Sequence, residues 1–198
     1  MMQGSNDWIN AKLGLVGTSR IGDVLAEGQG VTRNNYMMEL VCQRLTKKRQ
    51  DTFTSEAMNW GTENEPIARS MYEAKTKVMV QEHFGRPHEK LVDWWCSPDG
   101  LVNNDGCIEI KCPNTATHLN TLLTGKINKD YIYQMSGACE VFKREWCDFI
   151  SFDPRLPDNC NLFIKRFYRD DLPTEKVYNG VELFIAELIE LEQKLRKL

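Results

Sequence analysis

The run from Ser97 to Lys111 constrains this chain more than any other stretch. Its second half alternates Ile108 and Ile110 with Glu109 and Lys111, the period of a β-strand with apolar side chains on one face and charged ones on the other. On such a strand Glu109 and Lys111 stand roughly 6.6 Å apart on one face. Just upstream, Asn103, Asn104, Asp105 and Gly106 are residues that tolerate positive φ, which signals a hairpin. A loop of about three or five residues pairs Asp99 with Glu109 and sets both carboxylates on the face that carries Lys111.

Two hard oxygen ligands beside a cation suit Mg²⁺ or Mn²⁺, ions that keep part of their water shell, and a lysine there can orient or deprotonate an attacking water. A bare Glu-x-Lys is ordinarily an exposed charge pair on an amphipathic hairpin. Three neighbouring features set this one apart. Pro98 fixes the backbone ahead of Asp99, Asp99 precedes Glu109 by a hairpin length, and Pro113 closes the strand after Lys111 and Cys112. Together they make the PD…(D/E)xK pattern of metal-dependent nucleases. An EF-hand loop is excluded, because Gly106 at its sixth position leaves Leu101 at its first.

A chain of 198 residues can build one domain with a sizeable core. No apolar run approaches the roughly 20 residues that span a bilayer, and Met1 to Asp7 is polar, so no membrane association is expected. Seven cysteines without a Cys-x-x-Cys pair argue against a disulfide framework and for a reducing cytoplasm. His83, His88 and His118 show no zinc-ligand spacing with them. The net charge of −3 has the wrong sign for a protein that coats nucleic acid, so any DNA contact must be local, as on a modest basic face turned toward a channel shared between subunits.

Helices are expected over Tyr36–Leu45, Met58–Lys75, Thr115–Leu123 and Asn128–Lys143, and from Asn179 to the C-terminus. Thr18 or Ser19 is placed to cap a further helix and offer a phosphate seat, and 27–32 reads as a Gly-rich loop. Lys47, Lys48 and Arg49 read as a solvated face. Pro66 belongs in a first helical turn, which puts that helix start near Glu63 and Glu65, where Glu65 is either a helix-dipole partner or a third carboxylate. Asn179 and Glu182 are spaced as a capping box. Strands are expected over Val78–Phe84 and Leu91–Cys96, leading into the hairpin, and over Cys147–Phe152 and Asn161–Tyr168. Tyr131, Gln134 and Ala138 share one side of their helix.

Read in order, Trp8…Lys12-Leu13-Gly14…Thr18-Ser19, Trp60-Gly61…Glu65…Ala68-Arg69, Ser97-Pro98-Asp99-Gly100-Leu101, Glu109-Ile110-Lys111-Cys112-Pro113 and Tyr131…Gln134 resemble the phage lambda-type exonucleases of the YqaJ viral recombinase family. The likeness runs from about Trp8 to Pro154. It implies an α/β (α+β) fold with a restriction-endonuclease-like core: one domain over 1–198, with a nuclease core at about 58–168, an N-terminal helical part over 8–57 and a C-terminal helix over 179–198. It implies Mg²⁺-dependent, and Mn²⁺-supported, 5′→3′ digestion of double-stranded DNA ends by a toroidal homotrimer, in the host cytoplasm, with a single-strand annealing protein as partner. Asp99, Glu109 and the Ile110 carbonyl resemble the ligands of one metal ion, and Glu65 with Asp99 those of a second. Lys111 resembles the lysine that activates water, and Tyr131 and Gln134 the residues that order the site. Lys12, Ser19 and Ser97 fall where the family binds the 5′-phosphate. Lys12 replaces an arginine of the family pattern, giving a point charge in place of a fork. Two other readings stand beside this one: an endonuclease of the same core, and a DNA-binding module that has lost its chemistry. No ligand is missing, which the second of these would require.

Overall fold

The computed structural model describes residues 5–26, 30–49 and 55–198. Asn103 takes the left-handed conformation with φ 48°, and the chain reverses there between β5 (Gly100–Val102) and β6 (Gly106–Lys111). The antiparallel register pairs Gly100 with Ile108, Leu101 with Cys107 and Val102 with Gly106. One rung further on, Asp99 lies opposite Glu109, as the turn length requires.

Strand β6 runs parallel to β7 (Trp146–Phe152), with Gly106 beside Trp146 and Lys111 beside Ser151. A parallel pair needs a long crossover, supplied here by α5 (Thr115–Thr124) and α6 (Lys129–Phe142). Antiparallel β8 (Leu162–Tyr168) and the short β2 (Val80–Gln81) complete a five-stranded mixed sheet in the order β2-β5-β6-β7-β8. Both faces are covered, so β6 and β7 are buried throughout apart from a half-buried Lys111.

On one face Ile108, Ile110, Trp146, Ile150 and Phe152 pack with Ala68 and Tyr72 of α4 (Glu56–Thr76). On the other, Leu101, Cys107, Cys147 and Phe149 join a larger core. Its helical part comes from α2 (Ile21–Val24), α3 (Val31–Thr46), α6 and α7 (Thr174–Leu195). The period-2 alternation thus sends Ile108 and Ile110 toward α4, and Glu109 and Lys111 toward α6. The expected mixed α/β domain, a central sheet flanked by helices, is the one observed.

Several local expectations are corrected. Helix α4 starts at Glu56, not near Glu63, with the Ser55 side chain accepting from Met58 N–H. Pro66 is inside it, tolerated because Thr62, whose carbonyl loses its partner, lies on the exposed side. Helix α7 starts at Thr174, so Asn179 and Glu182 are interior and form no capping box; Val177 extends the apolar stripe of Val181, Phe184, Ile185 and Leu188 by a turn. Neither Thr18 nor Ser19 caps a helix: both lie in a 3-10 turn, and the Thr18 hydroxyl donates to Trp95 O at 3.0 Å. The strands expected before the hairpin shrink to β2 and β4 (Trp94–Cys96), and β4 joins β1 (Val16–Gly17) and β3 (Arg86–Pro87) in a separate three-stranded sheet. Pro87 has no N–H to extend β3. Of the Gly-rich loop, 27–29 lie outside the described residues.

Gly106 sits where a Cβ would meet the Trp146 ring. That ring is fixed by a bond from Nε1 to Asp105 Oδ2 at 3.1 Å and by the Arg166 guanidinium, 3.5 Å from its centroid. Gly106→Ala is therefore expected to cost about 1–3 kcal/mol by overpacking. Urea denaturation checks this: a lower midpoint with an unchanged slope is expected, and an unchanged midpoint would mean that the indole slides aside freely.

Candidate active site

Beyond the last rung of the hairpin the Asp99 side chain takes over the pairing, its Oδ2 accepting the Ile110 N–H at 2.6 Å. Glu109 is 1% exposed. It forms an ion pair with Lys111, yet its Oε1 accepts no well-formed hydrogen bond. Lys111 Nζ lies 5.1 Å from the centroid of the Tyr131 ring on α6, which stacks on Phe149 at 5.8 Å. Gln134 follows one turn later on α6, half-buried. From α4, Arg69 reaches the same place: its Nε donates to the Asp99 carbonyl at 3.2 Å, one Nη to Glu65 Oε1 at 2.8 Å, and the other pairs with Glu82 at 3.1 Å. The structure thus brings Asp99, Glu109, Glu65, Lys111 and Tyr131 into one cluster, as the sequence predicts. Arg69 also joins this cluster, a residue that sequence reasoning left without a role. Its signal was the i,i+4 spacing from Glu65.

Burial raises the proton affinity of all three acids, and for Glu109 and Glu65 the Asp99 charge adds to it. Burial, then the Asp99 charge, lifts the Glu109 carboxyl to about 8 against the pull of Lys111. Burial and Asp99 likewise lift Glu65 to about 7 against Arg69. Asp99 is raised by burial, opposed by Lys111, the Ile110 N–H and Arg69. For Lys111, burial works against the charge, but Glu109 and Asp99 outweigh it and raise the pKa. The half-buried Cys112 thiol is pushed up to about 12, first by burial and then by Glu65 and Asp99.

This donor set fits Mg²⁺ or Mn²⁺ in kind: hard carboxylate oxygens, with charge repulsion between Asp99, Glu109 and Glu65 that a divalent cation relieves. With Glu65 turned to Arg69 and Glu109 to Lys111, no three such side chains among the described residues close on one point. Holding an ion calls for these carboxylates to rotate away from their cations.

The residues expected at a 5′-phosphate divide. Lys12 and Ser19 both line a cavity of about 390 Å³, together with Arg20, Tyr36 and Arg49. Burial, then Arg49, lowers Lys12 to about 8, and its Nζ lies 3.2 Å from the centroid of the Trp8 ring. Arg49, read as part of a solvated face, is thus a wall of this cavity. Ser97 is not. Its hydroxyl accepts from Trp8 Nε1 at 3.0 Å and Trp95 Nε1 at 2.9 Å and donates to Phe84 O at 2.9 Å, which uses its full capacity.

Residues 7–142 match the profile of the YqaJ-like viral recombinase domain. The chain belongs to that family. Among solved structures it is similar to an alkaline exonuclease, LHK-Exo, from Laribacter hongkongensis, with 42% identity, 98% of this chain and 97% of that chain covered, and a TM-score of 0.92. The same values hold for LHK-Exo in complex with dAMP. A phage-related exonuclease from Haemophilus somnus 129PT shares the fold at 13% identity, covering 92% of this chain and 95% of that one, with a TM-score of 0.69. No curated protein sequence matches. The YqaJ-like domain here thus has the fold of a nuclease around its acidic cluster.

The raised Glu109 has a definite consequence for stability. The folded protein keeps its proton at pH values where the unfolded chain has released it, so stability falls as pH rises from 4.5 through about 8. Lys111, raised above 10.5, contributes stability throughout that window and adds no slope to it. In EDTA the thermal midpoint is expected to fall from about pH 4.5 to about pH 8, and Glu109→Gln to flatten the fall. Parallel curves for wild type and variant would remove Glu109 as the titrating group.

Proposed function

We propose that this chain is a divalent-metal-dependent exonuclease that digests one strand of linear double-stranded DNA from its 5′ ends and leaves 3′ single-stranded overhangs for phage-type recombination by strand annealing. The observation that carries this reading is the convergence of Asp99, Glu109, Glu65 and Lys111 at the end of β6, in a chain 42% identical to an alkaline exonuclease whose structure is also known with dAMP. In this reading the cluster is the PD-(D/E)xK site. Asp99, Glu109 and the Ile110 carbonyl hold one Mg²⁺, for which Mn²⁺ can substitute, and Glu65 with Asp99 holds a second. When bound, such a pair supplies charge stabilisation for the attacking and leaving oxygens of the phosphodiester.

The chain's own residues do the rest. Lys111, held over Tyr131 and beside Glu109 and kept positively charged by its acidic neighbours, orients the attacking water, whose proton passes to solvent. Tyr131 and Gln134 hold the α6 side of the site in place. Water adds to phosphorus, the bond to the 3′-oxygen breaks, and a 5′-mononucleotide leaves. Arg69 keeps Glu65 and the Asp99 backbone in register. Lys12 and Ser19 grip the terminal phosphate in their cavity, with Arg20 and Arg49 as further cations. Ser97 acts one step removed, by fixing Trp8, on which Lys12 rests. The protein works in the host cytoplasm as a toroidal homotrimer, with a single-strand annealing protein receiving the overhang.

Two assays test this. Lys111→Ala is expected to abolish digestion of linear duplex in Mg²⁺ while retaining DNA binding, with Asp99→Ala and Glu109→Ala equally inactive and EDTA silencing the wild type; near-normal turnover by any of the three would sink the site assignment. Lys12→Ala is expected to slow digestion of 5′-phosphorylated ends roughly tenfold to a hundredfold, the effect of losing a charged hydrogen bond worth about 1.5–3 kcal/mol, and to leave 5′-hydroxyl ends much less affected. Equal slowing of both ends would make Lys12 a general contact.

A further inference from the structure

Three elements that frame the acidic cluster meet again at Asp153, further along the sheet. Strand β7 runs level with β6 to Ser151 beside Lys111, so Asp153 lies two residues, roughly 6.6 Å, further along the same direction. Helix α5 starts at Thr115, four positions after Lys111, and its Thr115 hydroxyl donates to Asp153 Oδ2 at 2.6 Å. Helix α4 brings Trp60, about 7.5 Å along its axis from Glu65.

Arg155 joins all three. Its Nε and one Nη donate to Asp153 at 2.7 and 2.9 Å, a bidentate fork, and its guanidinium carbon lies 4.4 Å from the Trp60 ring centroid. Asp153 is fully buried and also accepts the Arg155 N–H at 3.0 Å. That carboxylate is therefore committed to the protein. The Arg155 side chain is 48% exposed, and among the described residues its second Nη meets no acceptor, so the outer edge of this flat cation lies at the rim of the cluster.

Resting on the proposed function, we infer that Arg155 is a DNA-backbone contact that seats the duplex against the metal site through one phosphodiester. A guanidinium already forked onto a buried acid and held over an indole loses little side-chain freedom when a phosphate oxygen arrives. Its positive charge releases one condensed counterion from the DNA on binding. Trp60 and Asp153 are the clamp; Arg155 touches the substrate.

The test is a fluorescence-anisotropy titration of the full chain with a blunt, 5′-phosphorylated duplex in EDTA over a series of KCl concentrations, with turnover measured separately in Mg²⁺. Arg155→Ala is expected to weaken binding about tenfold and to reduce the slope of log K against log salt by about one. Digestion in Mg²⁺ at limiting DNA should slow in step with the lost affinity. Arg155→Lys, which keeps the charge, should retain the slope with intermediate affinity. If Arg155→Ala does not fold, Arg155→Gln reads the same slope, since it can still donate to Asp153 without the charge. A wild-type slope and affinity in the folded neutral variant would overturn the assignment and leave Arg155 as a structural tie. A wild-type chain that neither binds nor cuts duplex would instead overturn the proposed function itself.

Discussion

Burying a glutamate at the centre of a sheet is the constraint on which the rest of this structure depends. Glu109 cannot be left alone in that environment, because an isolated ionised carboxylate there is far less stable than in water. The fold answers with Lys111 two residues along the same strand face, and with Arg69 from the opposite helix to hold Glu65 and Asp99. Even so, the three acids retain more proton affinity than ordinary carboxylates. Two monovalent side chains thus offset the charge of this cluster only in part.

The hairpin was readable because its register follows from turn length alone: with Asn103 to Asp105 as the loop, pairing is fixed to the residue, and Asp99 must face Glu109. The crossover helices were equally plain in extent, and Asn114 and Asn128 are found to cap them with their own side chains. Less plain were features set by what surrounds them. Pro66 looks like a helix start until it is known that Thr62 faces water, where its carbonyl needs no intrahelical donor. Asn179 with Glu182 looks like a capping box until Val177 proves to be buried. In both cases a local rule gave way to a tertiary neighbour, and nothing local in the sequence shows that two indole N–H groups are aimed at the Ser97 oxygen, which the family resemblance places at the 5′-phosphate.

Arg49 and Arg69 illustrate a second kind of limit. Charged residues on helix ends and faces are ordinarily solvated, and nothing in the spacing of Lys47, Lys48 and Arg49 sets the third apart. Only the packing of the N-terminal segment against α3 gives Arg49 a cavity to line and a lysine to repel. Arg69 differs in that its partner Glu65 is one turn away, but its bond to the Asp99 backbone joins residues thirty positions apart.

The two cores on either side of the sheet are unequal, and this bears on how the acidic cluster comes apart. Asp99, Glu109 and Lys111 sit on strands gripped by the larger core, whereas Glu65 rides on α4, which adds only Ala68 and Tyr72 as fully buried apolar side chains, with Met71 partly so. Beyond those, α4 is tied down by polar bonds: Tyr72 to Asp148, and Arg69 to Asp99. Local opening follows the element with the least buried apolar surface. The chain can therefore lose one carboxylate of its cluster, by partial detachment of a single helix, while the hairpin that carries the other two remains folded.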